Sequence, residues 1–142
     1  MLNSRDIVDE ARTWLGVPWR HQGRTRQGID CAGIVACVGR TLGLTDYDHT
    51  GYQRRSHGYE FMRHFQDHMI EKPLGDMRPG GVLLFRDKAY PCHAAIVGER
   101  GGALTMIHAY ALQRKVVENR LDHSDWMSRR VAYFEFEGVE YE

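Results

Sequence analysis

No apolar run in this sequence exceeds a handful of residues; the longest lie around 34–38 and 82–85. A membrane-spanning helix needs about 18 to 20 consecutive apolar residues, so the expectation is a soluble chain with no membrane partner. Charge of one sign is not in excess either. Lys plus Arg (19) equals Asp plus Glu (19), which argues against nucleic acid held by a general basic field. Cysteines are few: Cys31, Cys37 and Cys92 form no C-x-x-C pair and cannot all pair within one chain. A disulfide framework is therefore not expected, and at least one thiol is read as free. The four prolines mark no linker, and no repeat or low-complexity segment is visible. Arg5 and Asp6 stand where a signal peptide would carry apolar residues, so synthesis in the cytoplasm without a standard export signal is expected. The 142 residues, 42% of them hydrophobic, are read as one domain spanning 1–142.

Residues 5–15 place Ile7, Val8, Ala11, Trp14 and Leu15 on one helical face, with Ser4 as N-cap and Gly16 as the stop. Pro18, Gly23 and Gly28 break both periodicities over 17–28, which reads as a loop. Asp30 opens a second helix beginning at or beside Cys31, with Val35, Val38 and Leu42 at helical spacing and Gly43 past its end. Residues 45–57 are polar and turn-rich. A third helix follows, carrying Phe61, Met62, Phe65 and Met69. After Pro73, the stretches 82–85, 94–97, 104–108, 115–118 and 131–136 read as strands. Helices first and strands last predict an α+β domain, its helices on one face of a mostly antiparallel sheet closed by 131–136.

The run Gly28-Ile29-Asp30-Cys31-Ala32-Gly33 delivers a cysteine from a glycine-containing loop to the first turn of a helix. Unsatisfied N–H groups and the positive end of the helix dipole favour a thiolate there. Ala32 and Gly33 leave room for a substrate; a buried structural thiol is the alternative reading. A nucleophilic cysteine needs a base, and the base needs a third group to orient it. His93 precedes one predicted strand run and His108 ends another, so neighbouring strands can bring the two imidazoles together. His64 and His68 lie four apart on the third helix; with no third ligand they are read as a solvated face, and no metal or other cofactor is expected. Cys37 and Cys92 are expected to be core or half-buried thiols.

Gly16-Val17-Pro18-Trp19, Asp30-Cys31-Ala32-Gly33, Arg78-Pro79-Gly80-Gly81 leading into a strand, His93-Ala94-Ala95-Ile96 and His108-Ala109 occur in that order. Together they resemble the NlpC-type cell-wall endopeptidases, a papain-like branch of cysteine peptidases that cuts peptidoglycan stem peptides. The resemblance implies a papain-like NlpC-type fold, with Cys31 as nucleophile, His93 as general base and later acid, and His108 as the group that orients His93. It implies a thioester intermediate, an imidazolium at His93 that favours the Cys31 thiolate, and the Cys31 backbone N–H as oxyanion donor. The implied substrate is the γ-D-glutamyl to diamino-acid amide. Three positions depart from the family pattern. Trp19 replaces a Tyr, Ala32 replaces a Ser, and Gly81 replaces the Asp of a Pro-Gly-Asp turn, a change expected to loosen that turn.

The run from Gly16 to Arg24, in a short chain without a signal peptide, is similar to the subset found in phage tails and gene-transfer agents. That resemblance implies a virion-tail location and phage tail proteins as partners. Trp19, Asp30, Arg24 and Arg26 are the candidate substrate-binding residues, the arginines facing an anionic stem peptide. Two rival readings accompany this one: an inactive structural tail component that keeps the fold, and another papain-like reaction such as amidase action or acyl transfer.

Overall fold

The computed structural model describes residues 1–48, 50, 52, 58–122 and 124–142. The first helix, α1 (Ser4–Arg12), is capped by Asn3 and not by Ser4. Asn3 Oδ1 accepts from the Asp6 N–H at 3.1 Å while Asp6 Oδ2 accepts from the Asn3 N–H at 2.9 Å, a reciprocal capping box. The Ser4 hydroxyl is used elsewhere, accepting from the Glu142 N–H at 3.2 Å. The helix ends at Arg12, short of the expected Leu15, because Trp14 and Leu15 bond back in single turns toward Gly16, whose φ of +87° suits glycine. Residues 17–28 form the predicted loop, which contains a two-residue hairpin, β1 (Arg24–Thr25) and β2 (Gly28–Ile29). The next helices are α2 (Cys31–Thr41) and α3 (Glu60–His68). Of the turn-rich stretch 45–57, residues 49, 51 and 53–57 lie outside the described residues.

All five predicted strands are present: β4 (Val82–Arg86), β5 (Pro91–Arg100), β6 (Ala103–Tyr110), β7 (Lys115–Arg120) and β8 (Arg130–Glu135). With β3 (Ile70–Lys72) they make one sheet in the order β3-β8-β4-β5-β6-β7, and every pairing is antiparallel. The last strand therefore does not close the sheet, as the sequence had suggested. It lies between β4 and β3, a three-residue exposed edge strand that has no inward face to create alternation.

One face of the sheet packs Val82, Leu84, Ala94, Ile96 and Ile107 against Ile7, Ala11, Ile34, Val38 and Phe65 of the three helices. Ile7, Ile34, Val38 and Ile107 are fully buried, and truncating such a residue to Ala costs about 2–5 kcal/mol. The opposite face is covered too. Leu83, Phe85, Ala95, Val97, Met106 and Tyr133 lie under Leu74, Met77, Trp126 and Met127, the last pair from the short helix α4 (Asp125–Ser128). No helix of the described residues is long and apolar enough to cross a membrane.

Gly81 does not loosen its turn. A Cβ there would meet the Tyr133 ring and hydroxyl at 2.2 Å, so the fully buried Tyr133 occupies the space a side chain would need. Its hydroxyl accepts from the Arg78 N–H at 3.3 Å and donates to Glu135 at 2.7 Å, tying the turn to β8.

Candidate active site

Cys31 is the first residue of α2, where backbone N–H groups have no acceptor inside the helix. Asp30 caps that helix, its Oδ1 accepting from the Gly33 N–H at 2.9 Å. The same buried carboxylate accepts from the Gln22 N–H at 2.8 Å, from Arg24 Nη1 at 3.0 Å and from the Tyr52 hydroxyl. Arg24 in turn is held by Asp48 at 2.9 Å and by the Tyr52 hydroxyl at 3.0 Å, and Arg40 joins Asp48 at 3.0 Å. Gly33 sits beneath this knot. A Cβ there would lie 2.5 Å from the Gly23 carbonyl, so Gly33 lets the loop close on the helix and opens no path to the sulfur.

The thiol meets the sheet where two strands part. Pairing of β5 with β6 runs from Arg100–Ala103 to Ile96–Ile107, whereas β6 stays paired with β7 out to Tyr110. The Cys31 thiol donates to the Cys92 carbonyl at 3.9 Å, and the Ala94 N–H faces the sulfur. The sulfur thus touches the backbone on either side of His93. His93 Nε2 lies 2.7 Å from His108 Nδ1, and His108 Nε2 lies 2.8 Å from Asn119 Oδ1. Asn119 is diagonal to His108 across the β6–β7 ladder, where Met106 pairs with Asn119 and His108 with Val117. Trp126 stacks on His93 with ring centroids 5.0 Å apart and an angle of 29°, and Tyr110 stacks on His108 at 5.1 Å and 24°.

The amide oxygen of Asn119 can only accept, so His108 Nε2 carries the hydrogen and its Nδ1 is bare. His93 Nε2–H then donates to that nitrogen, which leaves His93 Nδ1 as the basic atom. Burial keeps both rings neutral. It pulls His108 down to about 4, against a partial opposing effect of the Asn119 hydrogen bond. His93 falls well below its ordinary value through burial, with the nearby His108 and Arg129 adding to the effect. The Cys31 thiol is pushed up to about 12, first by burial and then by the Asp30 carboxylate. Both shifts run against the resting thiolate–imidazolium pair that the resemblance implies, burial opposing the pull of the helix terminus on the thiol.

Cys31, His93, Trp19, Arg24 and Asp30 all line one cleft of about 1160 Å³. Asp30 faces inward as a cap and Arg24 has its guanidinium engaged, so neither stands open to a stem peptide as the sequence had suggested. Arg26 is placed elsewhere: it donates to the Thr13 carbonyl at 2.6 Å and lies 3.7 Å over the Trp14 ring, against the end of α1. His68 is exposed, as a solvated face requires, while His64 is half-buried. Tyr47 donates or accepts at His64 Nδ1 (2.6 Å) and stacks on His68, and all three line the cleft. Among the described residues no group of three or more His, Cys, Asp or Glu is placed to hold a metal. Cys37 is buried and Cys92 half-buried. Asn119 and Trp126 went unread in the sequence: the predicted strand stopped at 118, and four residues of α4 are too few for a periodicity. Extending the 115–118 strand by one residue would have found Asn119.

Several known proteins resemble this chain. The murein DD-endopeptidase MepS/murein LD-carboxypeptidase of Escherichia coli strain K12 is 26% identical over 123 residues, covering 87% of this chain and 57% of that protein. A NlpC/P60 family protein from Bacillus cereus ATCC 10987 superposes with a TM-score of 0.71 at 18% identity, over 94% of this chain and 40% of its own. The NlpC/p60 domain of the peptidoglycan hydrolase SagA gives 0.67 at 21% identity, over 95% of this chain and all of that domain. At such identities the structures establish the α+β fold. The sequence pattern of the NlpC/P60 family matches residues 16–135, from the turn after α1 to the end of β8, and on that span the chain belongs to the NlpC/P60 family.

Proposed function

We propose that this protein is a cysteine peptidase that hydrolyses an amide of peptidoglycan stem peptides, at the γ-D-glutamyl to diamino-acid linkage. The observation that carries the reading is the hydrogen-bond chain from Asn119 through His108 to His93, which leaves His93 Nδ1 basic in the cleft that holds Cys31. As substrate enters, the Cys31 proton passes to His93 Nδ1 and the sulfur attacks the carbonyl carbon. The oxyanion is met by the Cys31 N–H at the head of α2. His93 then protonates the leaving amine, the C–N bond breaks and a thioester remains. Water, deprotonated by His93, attacks the thioester and returns the thiol. The raised Cys31 thiol and lowered His93 imidazole favour a proton transfer that accompanies the attack. The run from Gly16 to Arg24 favours a phage-tail or gene-transfer-agent particle as the setting, with tail proteins as partners.

A second reading has its own support: the E. coli relative is a murein DD-endopeptidase. Mass spectrometry of purified murein digested by wild type and by Cys31→Ala separates the two. Stem fragments ending at D-Glu, formed by wild type alone, are expected. Opened cross-links with intact stems point to the second bond, and no Cys31-dependent fragment from several wall types overturns both.

A further inference from the structure

One rim of the cleft takes no part in the relay. β4 slips register against β5 between Phe85 and Arg86, and against β8 between Leu84 and Phe85. These irregularities bring two arginines side by side, the Arg86 N–H donating to the Arg129 carbonyl at 2.9 Å. The Arg86 guanidinium is fixed by the carbonyls of Asp87 (3.1 Å) and Ser128 (3.3 Å). Arg129 lies 4.0 Å over the ring of Trp126, the same indole that stacks on His93. Lys88 stands exposed on the adjoining hairpin, and all of these side chains line the cleft. The nearby Asp87 carboxylate accepts from the N–H groups of Ala89 (2.9 Å) and Tyr90 (3.1 Å), inside its own turn.

Among the described residues, the Arg129 guanidinium makes no ion pair and no hydrogen bond. Its cation is held against an aromatic face at the cleft wall, and its N–H groups have no protein acceptor among the described residues. A planar fork held in this way matches a carboxylate, which it binds through two parallel hydrogen bonds. Its distance from the chemistry is set by one ring, since Trp126 separates it from His93. The charge of Arg129 is felt at His93, whose protonation it opposes.

We propose that Arg129, held over the Trp126 ring and backed by Arg86 and Lys88, binds a free carboxylate of the residue that supplies the leaving amine. This rests on the peptidase reading above and adds a specificity to it. The side of the bond follows from position: His93 hands its proton to the leaving nitrogen, and Arg129 is reached by continuing past His93 through Trp126. The acyl half lies toward Cys31 and the head of α2. A carboxylate seated on Arg129 also offsets the positive charge that opposes imidazolium formation, so binding the correct amine side favours the protonated His93 that the next step requires.

The test uses two synthetic stem peptides identical except that the carboxyl of the amine-side residue is a free acid in one and a primary amide in the other. They are built around whichever bond the murein digest identifies. Wild type is expected to favour the acid in kcat/KM by about tenfold or more, chiefly through KM. Arg129→Gln brings the acid-to-amide ratio close to one, and Arg129→Lys, with charge but no fork, falls between. The same ratio read as Kd by calorimetry on Cys31→Ala gives the answer without turnover. A wild-type ratio near one, or a preference that survives in Arg129→Gln, overturns the proposal. Failure of the γ-D-glutamyl assignment is read separately, as a different cut site in the digest with the Arg129-dependent ratio intact.

Discussion

Asp30 and His108 are both buried polar residues, 4% and 0% exposed, yet the networks around them differ in kind. Asp30 sits among full charges and backbone donors, with Arg24, Asp48 and Arg40 continuing the alternation of sign outward. His108 sits among neutral groups: His93, Asn119, Tyr110 and Trp126. A buried charge recovers its desolvation cost only when its lone pairs are used, and the Asp30 carboxylate, with four donors on its two oxygens, meets that condition. Its consequence is rigidity, a helix terminus pinned so that Cys31 stays at one place. The histidine chain is neutral and has one basic nitrogen left over, so its consequence is a proton that can be moved. On the proposed mechanism, the permanent charges serve position and the neutral titratable groups serve chemistry.

The largest test of that division removes His93, the proposed proton carrier. His93→Ala is expected to lower kcat by about 10⁴-fold while the urea midpoint moves less than for any change at Asp30. Asp30→Ala is expected to cost about 3–5 kcal/mol of stability, because it strands Arg24 and uncaps α2. Urea denaturation measures this, and a full-strength midpoint with abolished turnover would instead place Asp30 in the chemistry.

Acid sharpens the comparison. Above pH 6.5 the His108 ring is mostly neutral in folded and unfolded chains, and its contribution to stability is flat with pH. Below 6.5 the unfolded chain takes up a proton that the folded one refuses until about 4, so stability falls as pH drops through that window, by about 3 kcal/mol for His108. His93 acts in the same direction. Glu118 and Glu135, held below 4.5 by their arginines, stay ionised over its upper part. Denaturation at pH 7 and 5 should show the slope, and His108→Gln should reduce it to the part that His93 contributes. The smallest effect belongs to Asn119, which is exposed. Asn119→Leu removes the acceptor that sets both tautomers and should lower kcat by about tenfold to a hundredfold. Asn119→Asp keeps an acceptor and should restore most of it, an outcome that a merely structural role for this residue would not produce.

The two networks also differ in how far they could be read from sequence. Cys31 at a helix head and the meeting of His93 with His108 followed from local patterns: a cap residue, apolar periodicity, and histidines at matching strand ends. The three helices and five main strands followed in the same way. Asn119 depended on the register of β6 against β7, and register is decided by the whole sheet and not by either strand alone. Tyr52 and Asp48 come from a stretch with no periodicity, so nothing local pointed them at Asp30. Arg24 and Arg26 show the limit most clearly. Two residues apart in one loop, they ended against different parts of the molecule, because Arg24 found two carboxylates and Arg26 found an indole. Composition could tell that the loop was basic, but not that its own neighbours had already taken the charge.

Gly81 and Tyr133 share one parcel of space, lent entirely to the ring on β8. A turn residue and a sheet residue far apart in sequence are therefore a single unit of variation. Random replacement at position 81 alone should yield little folded protein, since the buried Tyr133 ring stands in the way. Joint randomisation of both positions should recover folded chains that carry a side chain at 81, and nearly all of them should have given up the aromatic at 133.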